Sequence, residues 1–70
     1  MDLRQAEEGK EYMIIALETG DEKLDAFLFT LGCYSGEPIT VISRKKKTMI
    51  VSIKDGRYTI DNDLAQAIKI

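Results

Sequence analysis

Histidine and tryptophan are absent from this chain, and cysteine and proline each occur only once. Without histidine the chain lacks the usual general base and the commonest neutral metal ligand. Cys33 has no second cysteine for a disulfide or a zinc site, and no histidine to activate its thiol. We therefore expect a non-enzymatic protein with no cofactor and no resident metal, from a reducing, intracellular compartment.

Long hydrophobic runs and targeting signals are also lacking. The longest apolar run, residues 12–17, is far shorter than the ~20 residues needed to cross a bilayer. The amino terminus opens on an acidic segment, without the basic, apolar and small-residue order of a signal peptide. No glycine spacing matches a phosphate-binding or dinucleotide-binding loop. These absences predict a cytoplasmic protein without direct membrane insertion.

The residues that are present indicate one small soluble domain. Seventy residues leave room for a single hydrophobic core, and 44% apolar with 31% charged residues is an ordinary globular composition. The net charge of −2 argues against a dedicated polyanion-binding protein. The sequence does not indicate an oligomeric state.

A helix is predicted over residues 21–31. Apolar residues recur there with the i, i+3, i+4, i+7 spacing of one helical face. Asp21 provides a carboxylate at the positive end of the helix dipole, and Gly32 follows where a left-handed cap is needed. The predicted apolar face consists of Leu24, Phe27, Leu28 and Leu31.

Short apolar runs bounded by glycine or charge predict strands at 10–18, 38–44, 48–54, 57–60 and 67–70, with a helical turn near 62–66. Asp55-Gly56 predicts a two-residue turn. This order predicts a mainly β fold, a small SH3-like partly open barrel with one inserted helix, as a single domain over residues 1–70. A hairpin turning about Lys46 gives the pairs Ile39–Ile53, Thr40–Ser52, Val41–Val51, Ile42–Ile50 and Ser43–Met49.

Four apolar residues are candidates for binding a partner. Phe29 points away from the apolar face of the helix, Tyr34 lies in the loop beyond it, and Ile42 with Ile50 forms a pair on the less apolar side of the hairpin. The alternative is that these residues belong to the core, because a strand of a small barrel is often covered on both faces.

The run Arg44, Lys45, Lys46 and Lys47 is the strongest local charge feature. One interpretation is a hairpin that grips the phosphates of RNA. The other is a solvated turn whose lysines prevent edge-to-edge sheet pairing. The absence of neighbouring aromatic residues and the acidic net charge favour the solvated turn.

Clustered carboxylates do not form a catalytic or metal-binding pattern. Asp61 and Asp63 flank Asn62 and would suit a hard cation, but the further acidic residue and glycine of a calcium loop are missing. Helix capping is the favoured interpretation. A divalent-metal-linked regulatory domain with carboxylate ligands alone is a further alternative.

Taken together, the spacing of these residues resembles the FeoA family, small accessory proteins of bacterial ferrous-iron transport. The resemblance spans essentially the whole chain and centres on a Leu-Gly-x-x-x-Gly motif. It implies an SH3-like barrel in the cytoplasm, associated with a membrane iron transporter whose cytoplasmic G-protein domain hydrolyses GTP. A related domain ends iron- and manganese-dependent repressors. The matching positions are Leu24, Leu28, Leu31-Gly32, Gly36, Ile39, Val41, Val51, Ile53, Gly56 and the segment 64–70.

Overall fold

A computed structural model describes all residues, 1–70, and shows a mainly β domain. A four-stranded antiparallel sheet has the order β1-β3-β4-β5, and β2 pairs with β6 in a separate two-stranded sheet, so the barrel is not closed. The predicted SH3-like class with one inserted helix is confirmed. The elements are a 3₁₀ turn (Leu3–Gln5), β1 (Glu11–Met13), β2 (Ala16–Leu17), α1 (Glu22–Thr30), β3 (Pro38–Arg44), β4 (Thr48–Ile53), β5 (Gly56–Asp61), α2 (Asn62–Ala67) and β6 (Ile68–Lys69).

Both sheets share one apolar core. The core comprises Leu3, Ala6, Ile14, Leu28, Cys33, Ile39, Val41, Met49, Val51, Ile53, Ile60, Ala65 and Ile68.

The chain has no helix that is long and apolar enough to span a membrane.

The first predicted strand is two strands, because the chain changes sheet at Ile14 and Ile15. The Ile14 N–H donates to the carbonyl of Glu37 (2.9 Å), whereas the Ile15 N–H donates to the carbonyl of Lys69 (2.7 Å). Ile14 is buried and Ile15 is exposed at this corner. A continuous apolar run contains no polar alternation to mark such a corner, which explains why the sequence predicted one strand.

Helix α1 forms where predicted, but it buries less of its apolar face. Asp21 caps it, since one carboxylate oxygen accepts from the N–H groups of Lys23 (2.9 Å) and Leu24 (3.2 Å). Leu28 is fully buried, whereas Phe27 is 56% exposed, so the prediction that Phe27 packs in the core is wrong. The domain is too small to cover a wide helix face.

The β3–β4 hairpin contains a bulge that the sequence did not predict. Pairing follows the predicted register as far as Val41–Val51, and then Ser43 pairs with Ile50 and Arg44 with Met49. The predicted pairs Ile42–Ile50 and Ser43–Met49 are therefore wrong, because Ile42 is the extra residue of the bulge.

This shift places Arg44 opposite buried Met49, on the side of the sheet where the 3₁₀ turn lies. Its guanidinium donates from Nη2 to the carbonyls of Leu3 (3.0 Å) and Ala6 (2.6 Å). The Arg44 N–H also donates to the carboxylate of Glu8 (2.6 Å). Arg44 therefore secures the amino-terminal segment to the sheet.

The β4–β5 turn lies one residue earlier than predicted. Its two central residues are Lys54 and Asp55, because Gly56 already pairs with Ile53. Lys54 takes the positive φ of +52°. Gly56 is needed for space instead, since a Cβ there would lie 2.6 Å from Cζ of Tyr58.

Candidate interaction site

Two aromatic side chains meet on the surface where α1 ends. The ring centroids of Phe29 and Tyr34 are 4.7 Å apart with an interplanar angle of 31°, a favourable tilted contact. Phe29 remains 62% exposed and Tyr34 is half-buried. Lys54 and Glu37 lie beside Tyr34, and we call these four residues the aromatic patch.

The turn after α1 fixes Tyr34 beside Phe29. The N–H of Cys33 donates to the carbonyl of Leu28 (2.9 Å), and that of Gly32 to Phe29 (3.0 Å), which is the hydrogen-bond pattern of a Schellman cap. Gly32 has a φ of +89°, as predicted for a left-handed cap. Cys33 is buried against the core, so the next side chain emerges at the surface.

Lys54 connects this loop to the β4–β5 turn. Its Nζ lies 3.4 Å from a carboxylate oxygen of Glu37 and 5.4 Å from the Tyr34 ring centroid. Its aliphatic stem covers Gly32, where an added Cβ would come within 2.9 Å of the Lys54 Cδ and Cε. The pKa of Lys54 is raised, mainly by a polar interaction with the Tyr34 side chain and to a smaller extent by the negative charge of Glu37. The ammonium therefore stays charged beside Tyr34 and Glu37.

The structure brings Phe29 and Tyr34 together, but the other two apolar candidates lie outside the aromatic patch. Ile42 is 38% exposed at the bulge, and Ile50 is half-buried on β4. Ile42 lies five positions after Glu37 along an extended strand, which corresponds to about 16 Å. Lys54 and Glu37 were missed as site residues, because they are far apart in sequence and no local pattern marks their pairing.

The four basic residues of the β3–β4 hairpin differ in their contacts. All four side chains are exposed, but that of Arg44 donates hydrogen bonds to the amino-terminal segment, whereas those of Lys45, Lys46 and Lys47 donate none. Asn62 fixes their turn by donating from its amide side chain to Lys46 O (3.1 Å) and from its backbone to Lys47 O (3.2 Å). RNA binding by these lysines stays a prediction.

A shallow groove of about 430 Å³ lies between α2 and the end of β2. Asp61 at its rim caps α2, because its carboxylate accepts from the N–H of Leu64 (2.8 Å), as predicted. No three histidine, cysteine or acidic side chains are placed to hold a metal ion together. The metal-linked alternative stays a prediction that anaerobic calorimetry with ferrous ion can test. The groove is lined by Glu18, Thr19, Leu24, Asp61, Asp63, Leu64, Gln66, Ala67 and Lys69.

Cys33 has a structural environment. Burial raises the pKa of its thiol to about 11, so the thiolate that would act as nucleophile or ligand is disfavoured at neutral pH. Its side chain instead packs in the core.

The family model of the FeoA domain matches residues 1–70. The chain belongs to the FeoA family. A solved structure described as a manganese-dependent transcriptional repressor matches this FeoA chain with a TM-score of 0.83 and 15% sequence identity. The match covers all of this chain but only 41% of the repressor chain. At that identity the likeness establishes a shared fold. No curated protein sequence matches.

Membership in the FeoA family implies an accessory function in ferrous-iron transport, and the family's domain is non-enzymatic. The family is associated with the Feo iron-transport system.

Proposed function

We propose that this FeoA domain is a cytoplasmic interaction module that binds the cytoplasmic part of a ferrous-iron transporter and regulates or stabilises it. The family match over the whole chain carries the proposal. The transporter expected from the family has a cytoplasmic G-protein domain, which is the natural target of a small soluble accessory protein.

The exposed aromatic side chains support a role in protein binding. Phe29 is a large aromatic residue that is exposed beside Tyr34. Aromatic residues of this kind are enriched at the centres of protein interfaces. Tyr34 is already in contact with Phe29 and lies beneath the Lys54 ammonium, and such ordering before binding lowers the entropy that binding must remove.

The chemistry of the side chains also supports a module without catalysis. The chain has no histidine, and its single thiol is buried with a raised pKa. GTP hydrolysis by the isolated domain should therefore match a buffer control, and turnover that co-purifies with the folded domain would contradict this part of the proposal.

An NMR titration tests the binding itself. ¹⁵N-labelled domain is titrated with the purified cytoplasmic domain of the transporter from the same genome. We expect saturable shifts that include the amides of Phe29 and Tyr34. Absence of shifts at Phe29, Tyr34, Ile42 and Ile50 at high concentration would contradict the proposed surface, and absence of binding anywhere would contradict the function.

A further inference from the structure

We propose that the aromatic patch binds a short basic–apolar segment of its partner, in which lysine or arginine lies beside leucine, isoleucine or phenylalanine. This inference rests on the proposed function and specifies the chemistry of the contact. The occupant would be a membrane-flanking cytoplasmic segment of the transporter.

The helix that presents Phe29 is acidic on the same face. Glu22 precedes Phe29 by seven residues and Asp25 by four, so the three residues lie within about 60° of one another along one side of α1. The basic residue Lys23 is turned about 120° away from Phe29 around the helix axis. A partner that covers Phe29 therefore meets negative charge.

The end of α1 adds to this negative potential. The carboxyl end of a helix carries partial negative charge, and α1 has no basic residue in its last turn. The ammonium group within the patch, that of Lys54, is already paired with Glu37. The negative charge of Glu22, Asp25 and the helix end is therefore available to a basic group of a partner.

The aromatic rings themselves are suited to receive a cation. Lys54 already lies over the Tyr34 ring within the 6 Å range of a cation–π contact. The neighbouring Phe29 ring is 62% exposed, so a partner lysine or arginine can stack on it while an adjacent apolar residue covers its edge.

Charge also discriminates between possible occupants. A second copy in a two-fold contact would place one acidic face of α1 against another, which is unfavourable. Cytoplasmic segments next to membrane spans are enriched in lysine and arginine and border apolar helices. Such a segment supplies both the positive charge that complements the acidic side of α1 and the apolar side chain that would cover the edge of Phe29.

The test uses synthetic peptides that cover the membrane-flanking cytoplasmic segments of the transporter, each paired with a version whose Lys and Arg are replaced by Glu. We expect one basic peptide to shift the amides of Phe29 and Tyr34, with affinity that falls between about 50 and 200 mM salt. The charge-reversed peptide should not bind.

Two serine variants provide a matched comparison. Phe29→Ser should weaken the basic peptide about tenfold, whereas Phe27→Ser, equally exposed on the other flank of α1, should change it less than about twofold. Glu22→Lys, a surface change that leaves the rings intact, should weaken it about threefold. Equal losses in the two serine variants, or equal binding of the charge-reversed peptide, would overturn the proposal.

Binding measurements with the intact cytoplasmic domain of the transporter distinguish failure of the patch proposal from failure of the proposed function. If it binds wild type and Phe29→Ser with equal affinity, the patch proposal fails and the proposed function stands. If it binds neither protein, the proposed function fails as well. Concentration-dependent shifts at Phe29 without any peptide would overturn the choice of occupant in favour of a second copy.

Discussion

Arg44 allows a quantitative test of the bulge in the β3–β4 hairpin. As part of a solvated basic turn, Arg44 should be dispensable for stability, like its neighbour Lys45. In the structure, its guanidinium instead bonds to the carbonyls of Leu3 and Ala6 and holds the 3₁₀ turn against the sheet. The two interpretations give different free energies of unfolding for Arg44→Ala.

The expected magnitude follows from those two bonds. A hydrogen bond from a charged donor contributes about 1.5–3 kcal/mol. Because Arg44 is partly exposed, we take the low end for the pair and expect Arg44→Ala to destabilise the domain by about 2 kcal/mol. For a domain of this size that lowers Tm by roughly 10 °C. Lys45→Ala, which removes no side-chain hydrogen bond, should stay within about 0.5 kcal/mol.

Urea unfolding of wild type, Arg44→Ala, Arg44→Lys and Lys45→Ala measures these differences. Arg44→Lys should fall between wild type and alanine, because a single ammonium replaces the planar fork of donors. Hydrogen exchange adds a local readout, since the Ala6 N–H bonds to Leu3 O within the same turn and should exchange faster in Arg44→Ala. Equal stability of Arg44→Ala and Lys45→Ala would refute the proposed role of the bulge.

Four further outcomes are expected. Leu28→Ala should destabilise by about 2–4 kcal/mol in urea unfolding, because it empties the one fully buried position of α1. Gly32→Ala should cost about 1 kcal/mol for its φ of +89° and displace the Lys54 side chain, which NMR shifts of its Cε methylene would report. The thiol pKa of Cys33 is raised from its ordinary 9.0 to about 11, so its stabilising contribution is complete below pH 9 and is lost as pH rises toward 11; wild type should lose more stability across that range than Cys33→Ala. If the hairpin binds RNA, neutralising residues 45–47 together should abolish binding and its salt dependence in a filter assay, and unchanged affinity would discard that alternative.

Local signals in the sequence were sufficient for most of the fold. Asp21, the spacing of Leu24 and Leu28, and Gly32 determine the start, face and end of α1 within one short segment. Alternation in β3 and β4 gave the correct register up to Val41. Each of these features depends on residues a few positions apart, which is the range that sequence patterns describe.

The predictions that were wrong depend on distant parts of the chain. Ile14 and Ile15 separate because one bonds to the loop before β3 and the other to β6. The bulge at Ile42 brings Arg44 to carbonyls 41 and 38 positions earlier in the chain. Phe27 has helical spacing appropriate to a core, and its exposure follows from how little of α1 the rest of this small domain covers. Local periodicity contains none of this information.

The same distinction explains where specificity can lie in this domain. A solved repressor chain with 15% identity shares this fold, so the fold does not determine most of the individual residues of this sequence. Function must then depend on residues that the core pattern does not determine. Phe29 and Tyr34 are such residues, because their contact depends on the cap at Gly32 and on Lys54 from the opposite turn. If the aromatic patch binds the partner as proposed, variation at these surface positions should change the partner while the core keeps the fold.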